Sequence, residues 1–390
     1  MFFNCNTPKL LIGLSLMCAP FTAFAQSNVD ETIFATAAPH AVILDFETGE
    51  VLYQKDASRP MAPASMTKIM TAKMVFSALK SGRLTPETEF TVSEEAWRRG
   101  GAKSGSSTMF LDLNSRVSVD NLIKGVIIQS GNDACIVLAE GMAGSEDAFA
   151  AQMTARAREM GLSSATFKNS TGWPHPEHNI SAIDLAKLAK AQIKTHPEYY
   201  SLYNERNFTW NGISQGNRNP LLGKFTGADG LKTGHTEVSG YGLVGSAERN
   251  GVRRIIVING LDSSAQRRDV SLSLMNSAFN EFKAYKLRDT GEELARAKVF
   301  MGKSGDVGVA LAAPIIQGLH ISQREQVKSR VEYKTPVAPI VKGDQIAELV
   351  VSVKGQEDMR YALFATEDVK AKSLFGKAWA SLIGKIRGEL

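Results

Sequence analysis

The strongest constraint on the fold of this chain is a β-hairpin signal near residue 250. The pair Asn250-Gly251 lies between two apolar runs, residues 241–248 and 252–261. Asn-Gly is favoured in two-residue hairpin turns because both residues tolerate a positive φ. A third strand is predicted at residues 231–236, just before the two strands of this hairpin, so the region predicts an antiparallel sheet.

A second hairpin is predicted near the start of the chain. Apolar runs at residues 41–46 and 51–53 flank a four-residue turn that contains Gly49. Between the two hairpins the apolar spacing is helical. Helices are predicted at residues 65–79, at two segments between 119 and 144, and at 145–160, 181–194 and 266–285. The arrangement predicts an α+β fold in which one antiparallel sheet, built from both ends of the domain, packs against helices.

The last hundred residues have a different pattern. Short alternating segments from residue 287 to 370 predict a small all-β domain, in which we find no catalytic residues. Residues 371–390 have apolar residues on one helical face and basic residues on the other. Such a helix either lies on an anionic membrane surface or packs on the protein's own core. It is too short and too polar to span a bilayer.

The beginning of the chain predicts export. Lys9 precedes an apolar run at residues 10–18, and Ala23-Phe24-Ala25 follows. This pattern is typical of a signal peptide covering residues 1–25, with an uncleaved membrane anchor as the alternative. The mature chain would then keep a single cysteine, Cys135, so a disulfide framework is not expected. The histidines lack ligand spacing, so no metal and no cofactor are predicted. A net charge of +5 without a basic stripe does not indicate a nucleic-acid partner.

Three short motifs carry the candidate chemistry. The first is Ser65-Met66-Thr67-Lys68, where i,i+3 spacing in a helix puts a serine and a potential base on one face. The alternative is that Ser65 only caps the helix. The second is Ser130-Gly131-Asn132, in a loop between two apolar helices, and the third is Lys232-Thr233-Gly234, at the start of a strand. Either of these alone is also compatible with an ordinary structural role.

Taken together and in this order, the motifs resemble the signature of the penicillin-recognising serine acyltransferases. The longer stretch from Asp229 to Thr236 and the pair Gly240-Tyr241 are similar to the D-alanyl-D-alanine carboxypeptidase type of low-molecular-mass penicillin-binding protein. The resemblance implies a β-lactamase/transpeptidase-like catalytic domain at residues 26–286. It also implies a periplasmic enzyme whose last helix is attached peripherally to the inner membrane.

The resemblance implies a substrate and a mechanism. The substrate is a peptidoglycan stem peptide ending in D-Ala-D-Ala, and β-lactam antibiotics acylate the same serine. Ser65 attacks the penultimate carbonyl carbon, while neutral Lys68 accepts the serine proton. Desolvation and the charge of nearby Lys232 both lower the pKa of Lys68. Ser130 relays a proton to the leaving amine, and Asn132 binds the substrate's peptide carbonyl.

The resemblance further implies the groups that hold the substrate. The backbone N–H groups of Ser65 and His235 form the oxyanion hole. Lys232 and Thr233 bind the terminal carboxylate, together with an arginine for which Arg267 fits the helix register better than Arg268. The full predicted substrate-binding set is Asn132, Lys232, Thr233, Gly234, His235 and Arg267.

The same motifs are compatible with other functions. A β-lactamase needs a deacylating glutamate, and Glu177 is the only acid in the loop of residues 169–179, in a context unlike that class. That loop also holds two histidines, and we expect a polar loop rather than site residues. A D,D-endopeptidase uses identical residues, and a non-catalytic cell-wall-binding protein could share the fold. The basic, Gly/Ser-rich segment of residues 98–107 is expected to be a mobile surface loop.

Overall fold

The computed structural model describes residues 33–354 and 356–373. The predicted signal peptide lies outside the described residues, and so does the predicted amphipathic helix from residue 374 onwards. Within the described ranges, no helix combines the length and the apolar composition that crossing a membrane requires.

The described residues alternate between helices and strands along the chain. The α-helices are α1 (Lys68–Lys80), α2 (Val119–Lys124), α3 (Asn132–Ala143), α4 (Glu146–Glu159), α5 (Ala182–Thr195), α6 (Pro197–Tyr200) and α7 (Ser264–Asn280). Shorter 3-10 and π-helical turns cover Ala64–Thr67, Ala96–Gly100, Ala102–Ser104, Gly125–Gln129, Ser201–Asn204 and Ile321–Gln326. The strands before α7 are β1 (His40–Asp45), β2 (Val51–Lys55), β3 (Pro60–Met61), β4 (Glu89–Thr91), β5 (Arg116–Ser118), β6 (Ile180–Ser181), β7 (Asn207–Trp210), β8 (Ile213–Gly216), β9 (Ala228–Thr236), β10 (Gly240–Arg249) and β11 (Val252–Leu261). Those after α7 are β12 (Phe282–Arg288), β13 (Glu293–Lys298), β14 (Asp306–Leu311), β15 (Ile315–His320), β16 (Lys328–Glu332), β17 (Gln345–Ser352) and β18 (Met359–Ala365).

The central sheet has the order β2-β1-β11-β10-β9, and every neighbouring pair is antiparallel. Both predicted hairpins are present, so the prediction of one sheet from two separate parts of the chain is confirmed. Strand β11 alternates between two cores: Ile255 and Val257 pack among the helices of the middle segment, while Ile256 and Ile258 pack against α7. The sheet is therefore buried on both faces, and β9 is an edge strand.

The C-terminal domain is all-β, as predicted. Five strands pair in the order β13-β14-β18-β17-β16, and β12 pairs with β15. A separate apolar core fills this domain. Ala371 forms a β-bridge with Gly302, so a helix starting at residue 371 is wrong at its first residue.

The predicted extension of the last helix to residue 285 is wrong. Helix α7 ends at Asn280, and the chain continues as strand β12. Phe282 and Ala284 pack in the core around α7, whereas Tyr285 packs in the core of the β domain. Alternate residues therefore face opposite cores, which is the period of a strand. The predicted domain boundary at 286/287 falls inside this strand.

The segment of residues 98–107 is not simply a loop. It contains a π-helical turn and a 3-10 turn, and Gly100 is buried against α3. A Cβ atom at Gly100 would lie 2.3 Å from the backbone nitrogen of Asp133, so only glycine fits at this contact. The glycines that suggested a mobile loop instead permit close packing beside the second motif.

Candidate active site

Ser65 lies in a 3-10 turn directly before α1. The turn covers Ala64–Thr67, and Lys68 is the first residue of α1. No side-chain capping bond is present at either helix start, and Ser65 Oγ instead accepts a hydrogen bond from Lys68 Nζ at 2.9 Å. The alternative interpretation of Ser65 as a helix cap is therefore excluded.

Lys68 is the most buried lysine of the site, with 1% of its surface exposed. Its Nζ donates to three oxygens: Ser65 Oγ at 2.9 Å, Asn132 Oδ1 at 2.7 Å and the carbonyl oxygen of Thr171 at 2.6 Å. These acceptors come from three separate parts of the chain. Sequence reasoning missed Thr171, because a backbone carbonyl leaves no side-chain signature.

The pKa of Lys68 is lowered to about 8. Burial is the main cause, and the guanidinium of Arg218 adds to it. The sequence interpretation expected two causes, desolvation and the charge of Lys232, and it missed Arg218. The two lysines are nevertheless coupled, because burial and the charge of Lys68 together lower the pKa of Lys232 well below its usual range. The site therefore disfavours two adjacent positive charges.

The second motif connects the π-helical turn to α3, whose first residue is Asn132. Ser130 adopts a left-handed conformation with a φ of 61°, and its buried Oγ has no hydrogen-bond partner among the described residues. An unpaired buried hydroxyl is costly unless a ligand completes it. Asn132 Nδ2 donates to Ser106 Oγ at 2.9 Å, and its backbone N–H donates to the Ser107 carbonyl at 2.8 Å.

Asp133 ties the same loop to the preceding segment. Its buried carboxylate accepts bonds from Thr108 Oγ1 at 2.7 Å and from the N–H groups of Met109 at 2.8 Å and Leu111 at 3.1 Å. Asp133 is the second residue of α3. It also holds the chain that carries Ser106 and Ser107 against Asn132.

The third motif lies on the edge strand β9. Lys232 and Thr233 are buried, and Lys232 Nζ donates to the Thr233 carbonyl at 3.1 Å. Gly234 faces the turn of Ser65: a Cβ atom there would lie 2.8 Å from the carbonyl oxygen of Pro63. This contact brings the backbone of the next residue, His235, beside that turn, and the His235 ring stacks on Tyr241 with centroids 3.8 Å apart.

The two candidate arginines of α7 differ in exposure and in their partners. Arg267 is 9% exposed, its Nη1 lies 3.4 Å from the Gly234 carbonyl oxygen, and its Nε has no partner among the described residues. Arg268 points into solvent and pairs with Asp269 at 2.8 Å. The helix register therefore directs Arg267, and not Arg268, toward the third motif.

Arg218 is a further cation that sequence reasoning missed. Its Nη1 donates to Ser107 Oγ at 2.6 Å, and its charge lowers the pKa values of Lys68, Lys232 and Arg267. It follows β8 in an irregular stretch without a motif, so only the folded structure reveals its position.

The loop of residues 169–179 packs against the turn of Ser65. His178 Nδ1 accepts from the backbone N–H of Lys168 at 3.1 Å, so the neutral ring carries its proton on Nε2 and donates it to Thr67 Oγ1 at 2.9 Å. His178 is therefore a supporting residue. Glu177 lies in solvent and pairs with Lys168 at 2.9 Å.

Comparisons with known proteins agree with this geometry. Residues 25–263 match the D-alanyl-D-alanine carboxypeptidase family, and residues 282–371 match the C-terminal domain of penicillin-binding protein 5. The chain belongs to the D-alanyl-D-alanine carboxypeptidase family. The predicted family, fold class and enzyme class are confirmed.

Individual members of the family match over most of their length. The D-alanyl-D-alanine carboxypeptidase DacA of Haemophilus influenzae is 36% identical over 375 residues, which cover 94% of this chain and 95% of the relative. The crystal structure of DacD from Francisella tularensis is 30% identical with a TM-score of 0.75, covering 88% of this chain and 96% of that one. Penicillin-binding protein 5 of Haemophilus influenzae is 35% identical with a TM-score of 0.66, covering 86% and 98%.

Proposed function

We propose that this chain removes the terminal D-alanine from peptidoglycan stem peptides that end in D-Ala-D-Ala, through an acyl-enzyme on Ser65. The observation that carries the proposal is the set of three acceptors around Lys68 Nζ. A protonated lysine donates three hydrogen bonds, whereas a neutral one donates two and has one lone pair. The carbonyl oxygens of Asn132 and Thr171 can only accept, so the lone pair of a neutral Lys68 points at the Ser65 hydroxyl.

Acylation follows from this arrangement. Ser65 Oγ bonds to the penultimate carbonyl carbon as its proton passes to Lys68 Nζ. The C–N bond to the last D-alanine then breaks, and that amine takes a proton from Lys68 through the Ser130 hydroxyl. Ser130 suits this relay because its buried Oγ has no other partner among the described residues. The backbone N–H groups of Ser65 and His235 stabilise the oxyanion.

Three cations surround the place proposed for the substrate's terminal carboxylate. Lys232 belongs to the third motif, Arg267 lies beside it, and Arg218 lies beside the second motif, bonded to Ser107. A bound carboxylate favours protonated Lys232, since an opposite charge raises a lysine pKa. A charged Lys232 in turn favours neutral Lys68. A free terminal carboxylate on the peptide thus adds to the effect of burial in keeping Lys68 neutral.

Deacylation requires a water molecule and a base. Lys68 is proposed for this step as well, because it is the base beside the ester. Glu177 does not suit the role of a β-lactamase glutamate, since it is exposed and paired with Lys168. A β-lactam is proposed to acylate Ser65 by the same steps, in agreement with the similarity to a penicillin-binding protein.

We also propose that the chain is exported to the periplasm and attached peripherally to the inner membrane. The support is the signal-peptide pattern of residues 1–25 and the basic amphipathic pattern beyond residue 373. Fractionation of cells that express the chain tests this proposal. It predicts recovery with the inner membrane, and release to the soluble fraction when residues 374–390 are deleted.

The activity is tested by incubating the chain with a muramyl pentapeptide and measuring free D-alanine. Release by the natural chain, absent in Ser65→Ala, is expected. Intact-mass measurement after benzylpenicillin should give one stable adduct, also absent in Ser65→Ala. Cleavage of cross-linked dimers without release of D-alanine from pentapeptide would favour an endopeptidase. Rapid hydrolysis of benzylpenicillin would favour a β-lactamase. If neither an adduct nor a product forms, the chain would be a binding protein.

A further inference from the structure

One short segment of the β domain is apolar on both of its faces. Along residues 337–341, Ala338 and Ile340 are buried, whereas Val337, Pro339 and Val341 point outward. Val337 is 58% and Val341 is 60% exposed. Ala338 and Ile340 belong to the core of the β domain, whereas the three other apolar side chains remain exposed.

Five exposed lysines lie close to residues 337–341 in sequence or on the backbone segments that pair with them and with each other. The set, which we call the exit face together with Val337, Pro339 and Val341, contains Lys303, Lys334, Lys342, Lys370 and Lys372. None of these five lysines forms an ion pair within residues 33–354 and 356–373. The nearby carboxylates of Asp344 and Asp368 accept from the backbone N–H groups of Val341 and Lys342 instead.

The exit face adjoins the point where the described chain ends. Ile340 pairs antiparallel with Val369, and the backbone N–H of Lys372 donates to the Met301 carbonyl at 2.8 Å. The neighbours Pro339 and Lys370 are both exposed, so both occupy the outer side of this pairing. The described chain therefore ends beside this surface, ahead of the basic amphipathic pattern that the sequence shows in residues 374–390.

We propose that the exit face itself rests on an anionic lipid bilayer. Exposed apolar side chains ringed by lysines suit the headgroup boundary, where the apolar groups leave water and the ammonium groups meet anionic lipids. This inference deepens the proposed membrane attachment and depends on it. It assigns the β domain a second contact with the membrane, in addition to residues 374–390.

A fluorescent reporter at position 341 tests the contact. The chain from Gln26 onward contains one cysteine, the buried Cys135, so Val341→Cys can be labelled selectively with an environment-sensitive dye. Val252→Cys, an exposed valine of the catalytic domain, is the matched control. Vesicles of phosphatidylethanolamine with phosphatidylglycerol should shift the emission of the dye to the blue at 341 and leave it unchanged at 252.

Each outcome of this experiment decides between the proposals. Vesicle binding by sedimentation without a shift at 341 overturns the exit-face contact and leaves attachment through residues 374–390 standing. A chain that does not sediment with vesicles contradicts both. Emission that is already blue before vesicles are added shows that another part of the chain covers the valines, which also overturns the inference.

Variants that introduce negative charge provide a second measurement. Val337→Glu with Val341→Glu, and separately Lys334→Glu with Lys342→Glu, should each weaken binding to anionic vesicles by about tenfold or more. Val252→Glu should leave binding unchanged. Release of D-alanine in solution should stay at the natural rate in all three variants, which shows that they are folded. Unchanged vesicle binding in both double variants would contradict the proposal.

Discussion

The carbonyl oxygen of Thr171 lies 2.6 Å from Nζ of Lys68, the shortest of the three contacts that this amine makes. The loop that carries this carbonyl is tied at Asn169, whose Oδ1 accepts a hydrogen bond from the backbone N–H of Gly172 at 2.7 Å. A backbone carbonyl cannot be protonated or rotate away as a side chain can. Thr171 and Asn132 thereby orient the lysine so that its lone pair faces Ser65.

The acylation rate should rise with pH through the pKa of Lys68, about 8. Below this pH the amine is protonated and cannot accept the serine proton, so the rate should fall tenfold per pH unit. Stopped-flow acylation by a β-lactam from pH 5 to 10 measures the profile. Lys68→Arg, which stays protonated, should lose at least about 10³-fold at every pH. A flat profile in the natural chain would contradict the assignment of Lys68 as base.

Replacing Asn132 with aspartate should move this profile. The new carboxylate would lie where Oδ1 now contacts Lys68 Nζ at 2.7 Å. A negative charge at that distance stabilises the ammonium form and raises its pKa, so the midpoint should move up by about one pH unit or more. Ser106→Ala removes the other partner of Asn132 and should leave the midpoint in place. An unmoved midpoint in Asn132→Asp would be incompatible with the contact.

The substitution Gly234→Ala, which adds a methyl group beside the turn of Ser65, should damage the site. The added Cβ would lie 2.8 Å from the Pro63 carbonyl oxygen, so strand β9 and the turn of Ser65 must move apart. Overpacking of this kind costs about 1–3 kcal/mol of unfolding free energy, and misplacement by about 1 Å costs about 100-fold in rate. Thermal unfolding and D-alanine release measure the two effects. Gly305→Ala, with no atom within 4 Å of its Cβ position, should change neither.

His178 should make the fold sensitive to acid. Burial lowers its pKa from 6.5 to about 4 in the folded chain. The unfolded chain therefore binds the extra proton between these values, and stability is lost as pH falls from about 6.5 to 4, by up to about 3 kcal/mol. Urea unfolding at pH 7 and pH 4.5 should show a smaller difference in His178→Gln than in the natural chain. Exposed His175→Gln should retain nearly the full difference, and equal behaviour of the two variants would contradict the prediction.

Arg267 should matter only for substrates with a free terminal carboxylate. Its loss in Arg267→Ala should lower kcat/KM for a D-Ala-D-Ala peptide about 10- to 100-fold, as expected for a charged hydrogen bond. Against the same peptide with a terminal amide, the variant and the natural chain should react alike. Arg268→Ala, on the solvent side of the same helix, should leave both rates unchanged. A similar loss on both substrates would indicate a merely structural role for Arg267.

The sequence predicts most of the fold and part of the site. The hairpin at Asn250-Gly251 and the alternating strands are predicted correctly because they depend on residues that are close together in the sequence. The prediction of a helix through Phe282 fails because the apolar residues there fit both a helical and a strand period until the second core is known. Phe282 and Tyr285 face different cores, and this difference depends on contacts between segments that are distant in the sequence.

The missing parts of the site have the same physical origin. Side-chain motifs locate Lys68 and Asn132, but they carry no signal for the Thr171 carbonyl or for Arg218. Folding of loops that are distant in the sequence places the Thr171 carbonyl against Lys68 and the charge of Arg218 near it, so no spacing along the chain indicates either group. The predicted effect of a cation on Lys68 is similarly incomplete, because the motifs point to Lys232 and give no signal for Arg218.

The ring of Phe282 joins the two domains more firmly than a linker would. It starts a strand of the β domain, yet it packs edge-on against Phe34 at a centroid distance of 5.2 Å and beside Tyr53 at 5.7 Å, within the catalytic domain. Across the same joint, the N–H of Gly318 donates to Glu50 Oε1 at 3.1 Å. Aromatic packing and a hydrogen bond therefore both cross this joint. A change in the position of the β domain would have to break these contacts, so the two domains should move less independently than domains that share only a linker.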